Sequence, residues 1–232
     1  MSTASPQPVG TPRLRADAAR NRAQILAAAR SAFRELGTAA PLDEIARRAG
    51  VNIATLYRRF PDREALVRQV VVDGFTVLGR ASQRALEAAP ADPLTAIEQV
   101  LMHMIDNRDE LVLPLIGGPT TDDAEAAELQ RGNTARIEEI LSMARAQGAV
   151  RDDITSVDIV AAGAMACRPM PYIPSEQATA IAARHVRIFI DGLRPTRGQG
   201  QGQTEARPPL PAPSPTADQL FANLRTPEAT AD

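Results

Sequence analysis

Polar and apolar positions along this chain recur every three to four residues almost from end to end, and no segment alternates with the period of two that a half-buried strand requires. The expected fold class is therefore all-α. Ile25, Ala29, Phe33 and Leu36 share one face of a first helix over about 16–36, which Gly37 stops. Leu42, Ile45, Ala46 and Ala49 give the inner face of a short second helix. A third runs over about 53–59, with Asn52 as its N-cap. Pro61-Asp62 opens a long fourth helix, and Leu66, Val70, Phe75, Leu78 and Ala81 carry its apolar face to about 88.

Further along, Asp92-Pro93 starts a helix to about Asn107, a short helix follows from Asp109 to Leu115, and Gly117-Gly118-Pro119 makes a loop. Asp122 opens a charged helix to Gln147, closed by Gly148. Ser156 heads a helix through Cys167, ended by Arg168-Pro169-Met170-Pro171, and Ser175 caps a last one to about Gly192. Residues 1–12, with Pro6, Pro8 and Pro12, read as a disordered arm. Residues 195–232 read as a disordered Pro/Gly-rich tail. Its G-x-G-x-G run lacks the flanking strand of a nucleotide-binding loop. Leu220, Phe221 and Leu224 suffice there for a single helical turn. Two helical domains are expected between these ends, over 13–66 and 67–194.

Composition narrows the picture. The chain has 232 residues, enough for a sizeable core. A single cysteine, Cys167, excludes an internal disulfide and a multi-cysteine zinc site. No apolar run approaches the roughly 18–20 residues of a membrane helix, and the first residues lack the apolar core of a signal peptide. A cytoplasmic protein is expected. The net charge is −2, unevenly distributed. Residues 1–63 hold eleven arginines against five acidic residues, a net of +6, which leaves −8 for the rest. A basic head on an acidic body points to polyanion contact by the first sixty or so residues. Every basic residue is Arg and none is Lys. With alanine so abundant, that fits a coding bias better than selection for bidentate phosphate contacts.

The stretch LDEIARRAGVNIATLYRRF at 42–60 combines these signals. Two short helices flank Gly50-Val51, and Gly50 has the backbone freedom that a tight turn needs. Ala46, Ala49, Val51 and Leu56 are small or apolar enough for the helices to pack. Ile53, Ala54 and Thr55 are short where a second helix would approach a groove floor. Tyr57, Arg58 and Arg63 are donors placed to anchor it on phosphates. This is the layout of a helix-turn-helix, whose second helix lies in the DNA major groove.

The runs RNRAQILAAARSAFRELG and LDEIARRAGVNIATLYRRFPDREAL, and above all the L-Y-x-x-F-x-x-R-x-x-L continuation, resemble the DNA-binding domain of the tetracycline-repressor (TetR) family over residues 18–66. The resemblance implies that the remainder is a helical effector-binding and dimerisation domain. It places Ile53, Ala54 and Thr55 where the family reads bases or nearby phosphates, and Tyr57 and Arg63 on phosphate-contacting positions. Asn52 and Arg58 complete the candidate DNA-binding set. Pro41 departs from the pattern, because it replaces a Ser or Thr that caps the second helix and touches a phosphate. Ile53 and Ala54 have no side-chain hydrogen bond to offer, so they either meet thymine methyls or fill space. Specificity then leans on Thr55, on Arg13, Arg15, Arg20 and Arg22, and on DNA shape. Those four arginines either enter a minor groove or attract phosphates.

In the body, Ile159, Val160, Ala164, Ile181, Ala182, Val186, Phe189 and Ile190 on the last two helices supply either a homodimer interface or ordinary core. Phe75, Met102, Met104, Met143, Met165 and Tyr172, with Leu78, Leu101 and Ile105, are candidates to line a pocket for an unknown small-molecule effector. His103, Cys167 and His185 lack metal-ligand spacing, so no metal or cofactor is expected. No nucleophile elbow, zinc-protease motif or P-loop is present, which argues against an enzyme. The expected function is a ligand-responsive repressor that binds a palindromic operator in double-stranded DNA as a dimer. The alternative is an effector-independent activator or architectural DNA-binding protein.

Overall fold

The computed structural model describes residues 12–111, 123–170, 172–195 and 210–211. All regular structure among them is helical: α1 (Pro12–Leu36), α2 (Leu42–Arg48), α3 (Ile53–Arg59), α4 (Arg63–Ala88), α5 (Pro93–Asp106), α6 (Ala124–Ala146), α7 (Ser156–Ala166) and α8 (Ser175–Leu193). The chain divides into two compact units, Met1–Gln69 and Val70–Asp232, and α4 supplies residues to both. The arm before Pro12, the segment 112–122 with its expected loop and most of the short helix before it, and the turn at Leu220–Leu224 lie outside the described residues.

In the first unit, Ile25, Ala29 and Phe33 of α1, Ile45 of α2, Leu56 of α3 and Leu66 of α4 are all fully buried, and α2 packs against both α1 and α3. This shared core accounts for the stability of α2 and α3. At seven residues each, they are far shorter than a helix that holds alone in water. Helix α1 starts four residues earlier than its apolar periodicity indicates. Pro12 suits a first helical position because its φ is preset and it has no N–H to satisfy there. Arg13 and Arg15 therefore belong to the backbone of α1.

In the second unit, α5 is the central helix. It packs against α6, α7 and α8 and buries eight of its residues, among them Leu94, Ile97, Leu101 and Ile105. Asp92 caps it, accepting from Thr95 N at 3.0 Å. Two other helix starts differ by one residue from expectation, whereas the helix headed by Ser156 begins there as expected. Asp123, not Asp122, caps α6 by accepting from Ala126 N at 2.9 Å. Thr155 caps α7 in a reciprocal box with Asp158, which leaves Ser156 as the first helical residue. Pro174 precedes α8, and Ser175 is its first residue rather than its cap.

Candidate nucleic-acid interface and ligand cavity

The turn between α2 and α3 follows from Gly50. With φ at +66°, it ends α2 in the left-handed conformation, and Val51 N donates back to Ala46 O at 3.1 Å. Pro41 stands at the N-cap of α2 and makes no side-chain cap hydrogen bond. Asp43 and Glu44 in the first turn oppose the helix dipole instead. Asn52 caps α3, its Oδ1 accepting from Thr55 N at 2.7 Å.

On α3 the buried side is Leu56, continued by Phe60, and Ile53 and Thr55 are half-buried. Ala54, Tyr57 and Arg58, at spacings of three and four, share the opposite face and are exposed, with Asn52 and Arg59 beside them. Tyr57 leaves 49% of its surface to solvent, although it is a large aromatic on a helix of a packed unit. Arg58 Nη2 donates to Thr55 Oγ1 at 2.8 Å. Four of the seven DNA-binding candidates, Asn52, Ala54, Tyr57 and Arg58, are thus presented by this face or its cap, and Thr55 lies at its edge.

Arg63 is placed differently. Its Nη1 donates to Thr38 O at 2.8 Å and to Ala40 O at 2.5 Å, so the guanidinium is turned inward and ties the α1–α2 turn to the start of α4. Other basic residues of the head are also committed within the unit. Arg22 of α1 lies over the Phe60 ring, 5.7 Å from its centroid. Arg20 faces Asp17 at 3.6 Å. Arg48 bridges Glu35 at 2.8 Å and Glu44 at 2.7 Å, and Arg47 also grips Glu44. Hydrogen bonds from Arg47 and then Arg48 lower the Glu44 carboxyl to about 2. The Glu44 pairs are local, at spacings of three and four, whereas Glu35–Arg48 crosses between helices.

In the second unit, Phe75 and Leu78 of α4, Met104 of α5, Ile137 of α6 and Ile159 of α7 line a cavity of about 50 Å³. Of the six effector-pocket candidates, only Phe75 and Met104 lie there. Met102 and Met143 are half-buried against the core. Met165 is 65% exposed, and Tyr172 is fully exposed with φ at +72° in the loop before α8. The polar lining of Ser82, Gln130, Asn133 and Thr134 was not foreseen. Asn133 also borders an open groove of about 560 Å³ that carries Arg80, Arg84 and Arg136.

Of the residues considered for an interface, Ile159, Ala182, Val186 and Ile190 are buried in the core of the same chain, because α7 and α8 turn that side toward α5. Val160, Ala164, Ile181 and Phe189 are half-buried, and Ile188 is 58% exposed. Burial, and secondarily the charge of Arg84, lowers the pKa of His103. Burial likewise pushes the Cys167 thiol up to about 12, which leaves it inert. Among the described residues, no three His, Cys, Asp or Glu side chains gather as a metal site, and no helix is long and apolar enough to cross a membrane.

Residues 25–70 match the family of bacterial regulatory proteins designated tetR, and residues 89–195 match the C-terminal domain of SbtR-like transcriptional regulators. Among solved structures, a TetR transcription regulatory protein from Mycobacterium vanbaalenii is 34% identical, with 78% of this chain and 99% of that one covered and a TM-score of 0.50. A TetR transcriptional regulator from Streptomyces coelicolor is 31% identical, covering 76% and 99%, also with a TM-score of 0.50. The ketosteroid transcriptional regulator of Mycobacterium tuberculosis, 18% identical over 75% and 94% with a TM-score of 0.61, shares the fold. No curated protein matches the chain significantly.

Proposed function

The chain belongs to the tetR family of bacterial regulatory proteins, which are DNA-binding transcriptional regulators, and we propose that it is a ligand-responsive repressor that binds a palindromic operator as a dimer. The observation that carries this reading is the exposed face of α3, where Ala54, Tyr57 and Arg58 stand together on a unit whose sequence is strongly basic. In this reading Ala54, with Ile53 beside it, approaches the groove floor. Tyr57 donates to a phosphate, and Arg58, steadied by Thr55, reaches a base edge or phosphate. Asn52 holds the first turn of α3 in place. Arg63 acts indirectly, by fixing the helix that follows.

A dimer would form through the outer faces of α7 and α8. Met165 and Ile188 are exposed there, and Ala164, Ile181 and Phe189 are half-buried around them. The large exposed aliphatics support this, since an isolated chain gains nothing by leaving them in water. The cavity at Phe75 and Met104 is the proposed effector site. Helix α4 supplies residues both to the cavity and to the first unit, so a ligand that prefers one placement of α4 would shift DNA affinity by its differential affinity for the two states.

Selection of duplexes from a random pool by the full chain tests this reading. An inverted repeat with half-sites a whole number of helical turns apart is expected. A single asymmetric site, or no enrichment, would count against a dimeric repressor.

A further inference from the structure

The cavity beside Phe75 says what kind of molecule it accepts; this rests on reading it as the effector site. Among the described residues, no charged side chain lines it. Of its four polar side chains, three have their donors engaged. Ser82 Oγ donates to Gly79 O at 3.2 Å, Thr134 Oγ1 to Gln130 O at 3.1 Å, and Asn133 Nδ2 to Phe75 O at 3.0 Å. The fourth is Gln130. It is 95% buried, and among the described residues its Nε2 has no hydrogen-bond partner.

An unpartnered buried donor is rare in a native structure and costly to keep. A buried water makes roughly two to four hydrogen bonds, whereas a carbonyl oxygen is satisfied by one. A carboxylate would be buried here without a countercharge, which is far more unfavourable than burying a neutral oxygen. Its place would be the neighbouring groove with Arg80, Arg84 and Arg136. We infer that the ligand of this cavity is a small uncharged molecule, apolar except for one carbonyl-type oxygen that accepts from Gln130 Nε2.

Met104 supplies the adjustable wall. A Cβ on Gly163 would fall 2.6 Å from Met104 Sδ and closer still to Cε, so the thioether lies in the notch that the missing side chain leaves. Methionine is unbranched and repacks readily. With Ala at 163 the end of Met104 must leave the notch, and the adjoining space is the cavity.

The test uses the full chain with ¹³C-methyl methionine, and the Met104 signal is assigned by its loss in Met104→Leu. Acetone, isobutene and acetate are titrated separately, small enough for a cavity of about 50 Å³. They share a branched shape and differ in offering a neutral oxygen, no oxygen or a charge. Acetone is expected to shift the Met104 methyl and to bind about tenfold more tightly than isobutene, the contribution of one hydrogen bond that relieves a buried donor. Acetate is expected to leave that signal unmoved. Gln130→Leu should abolish the preference, and Gln130→Met repeats the comparison if the leucine variant loses helix content. Gly163→Ala should abolish the shift with both uncharged probes. Equal binding by the carboxylate, or a ketone preference that survives both Gln130 variants, overturns the inference while leaving the cavity a ligand site. A Met104 signal that none of the probes moves overturns both.

Discussion

Thr55 Oγ1 accepts a hydrogen bond from Arg58 Nη2 across 2.8 Å, three residues further along α3. An exposed arginine is ordinarily free to sample many rotamers, and this bond holds its guanidinium over the edge of the exposed face. The pairing matters because Ala54 on that face and the half-buried Ile53 beside it offer no side-chain hydrogen bond of their own.

Thr55→Val should therefore alter which bases are preferred more than how strongly DNA is held. Selection from a random pool by both proteins is expected to give different consensus positions, with affinity for unselected duplex within about twofold, since phosphate contacts supply most non-specific binding. An identical consensus would show that the pair does not read sequence.

Arg63→Ala should lower the stability of the first unit by about 1–2 kcal/mol, the scale of hydrogen bonds from a charged, half-buried donor. Thr38 O and Ala40 O lose their shared partner in this variant. Urea unfolding followed by circular dichroism measures it. An unchanged midpoint, with DNA affinity reduced for all sequences, would return Arg63 to the phosphate role that the sequence pattern implies.

Glu44 gives the first unit a pH dependence whose sign is fixed. Its carboxyl falls to about 2 in the folded chain through hydrogen bonds from Arg47 and Arg48. A group depressed on folding stabilises above its unfolded value, and that contribution is lost as pH falls through the folded value. The wild type should exceed Glu44→Gln in melting temperature at pH 6. The gap should shrink below about pH 4.5, the ordinary carboxyl range, and close near 2. The pairs are at the surface, so the gap will be small and weaker at high salt. A gap constant down to pH 2.5 would mean that Glu44 acts otherwise.

Gln130→Leu should stabilise the ligand-free chain by about 1 kcal/mol, because it removes a buried donor that has no partner and replaces it with apolar volume. Thermal melting in the absence of any added ligand measures this. A drop in melting temperature would mean that the amide makes a contact the cavity geometry does not account for.

What could be read in advance, and what could not, divides along physical lines. Helical periodicity is local, so the faces containing Ile25, Ala29 and Phe33, or Leu66, Val70 and Phe75, were visible in the sequence. The layout of α2, Gly50 and α3 was visible for the same reason, as was the Asn52 cap. Caps slipped by one residue at two helix starts: Asp122 and Asp123 offer the same carboxylate and only the folded geometry selects between them, while Pro174 takes the position before Ser175 without any side-chain cap bond.

Contacts between distant residues left no local trace. Nothing near Arg63 in the sequence indicates that it will turn toward Thr38 and Ala40. Periodicity does not reveal whether the apolar stripe through Ile159, Val186 and Ile190 meets α5 or another subunit. Composition suggested methionines for the cavity. Only Met104 is there, because Gly163 across from it makes room, and Met165 projects from the outer side of α7.

The central claim is that the exposed face of α3 is the surface that binds DNA, and Ala54→Glu tests it most directly. Ala54 is exposed, so a glutamate there should leave the fold intact while placing a negative charge against the phosphates and groove floor. Fluorescence anisotropy with a duplex selected by the wild type, at fixed salt, should show at least about a hundredfold loss of affinity, with an unchanged melting curve. Affinity within about twofold of the wild type would place the DNA-binding surface elsewhere and contradict the account.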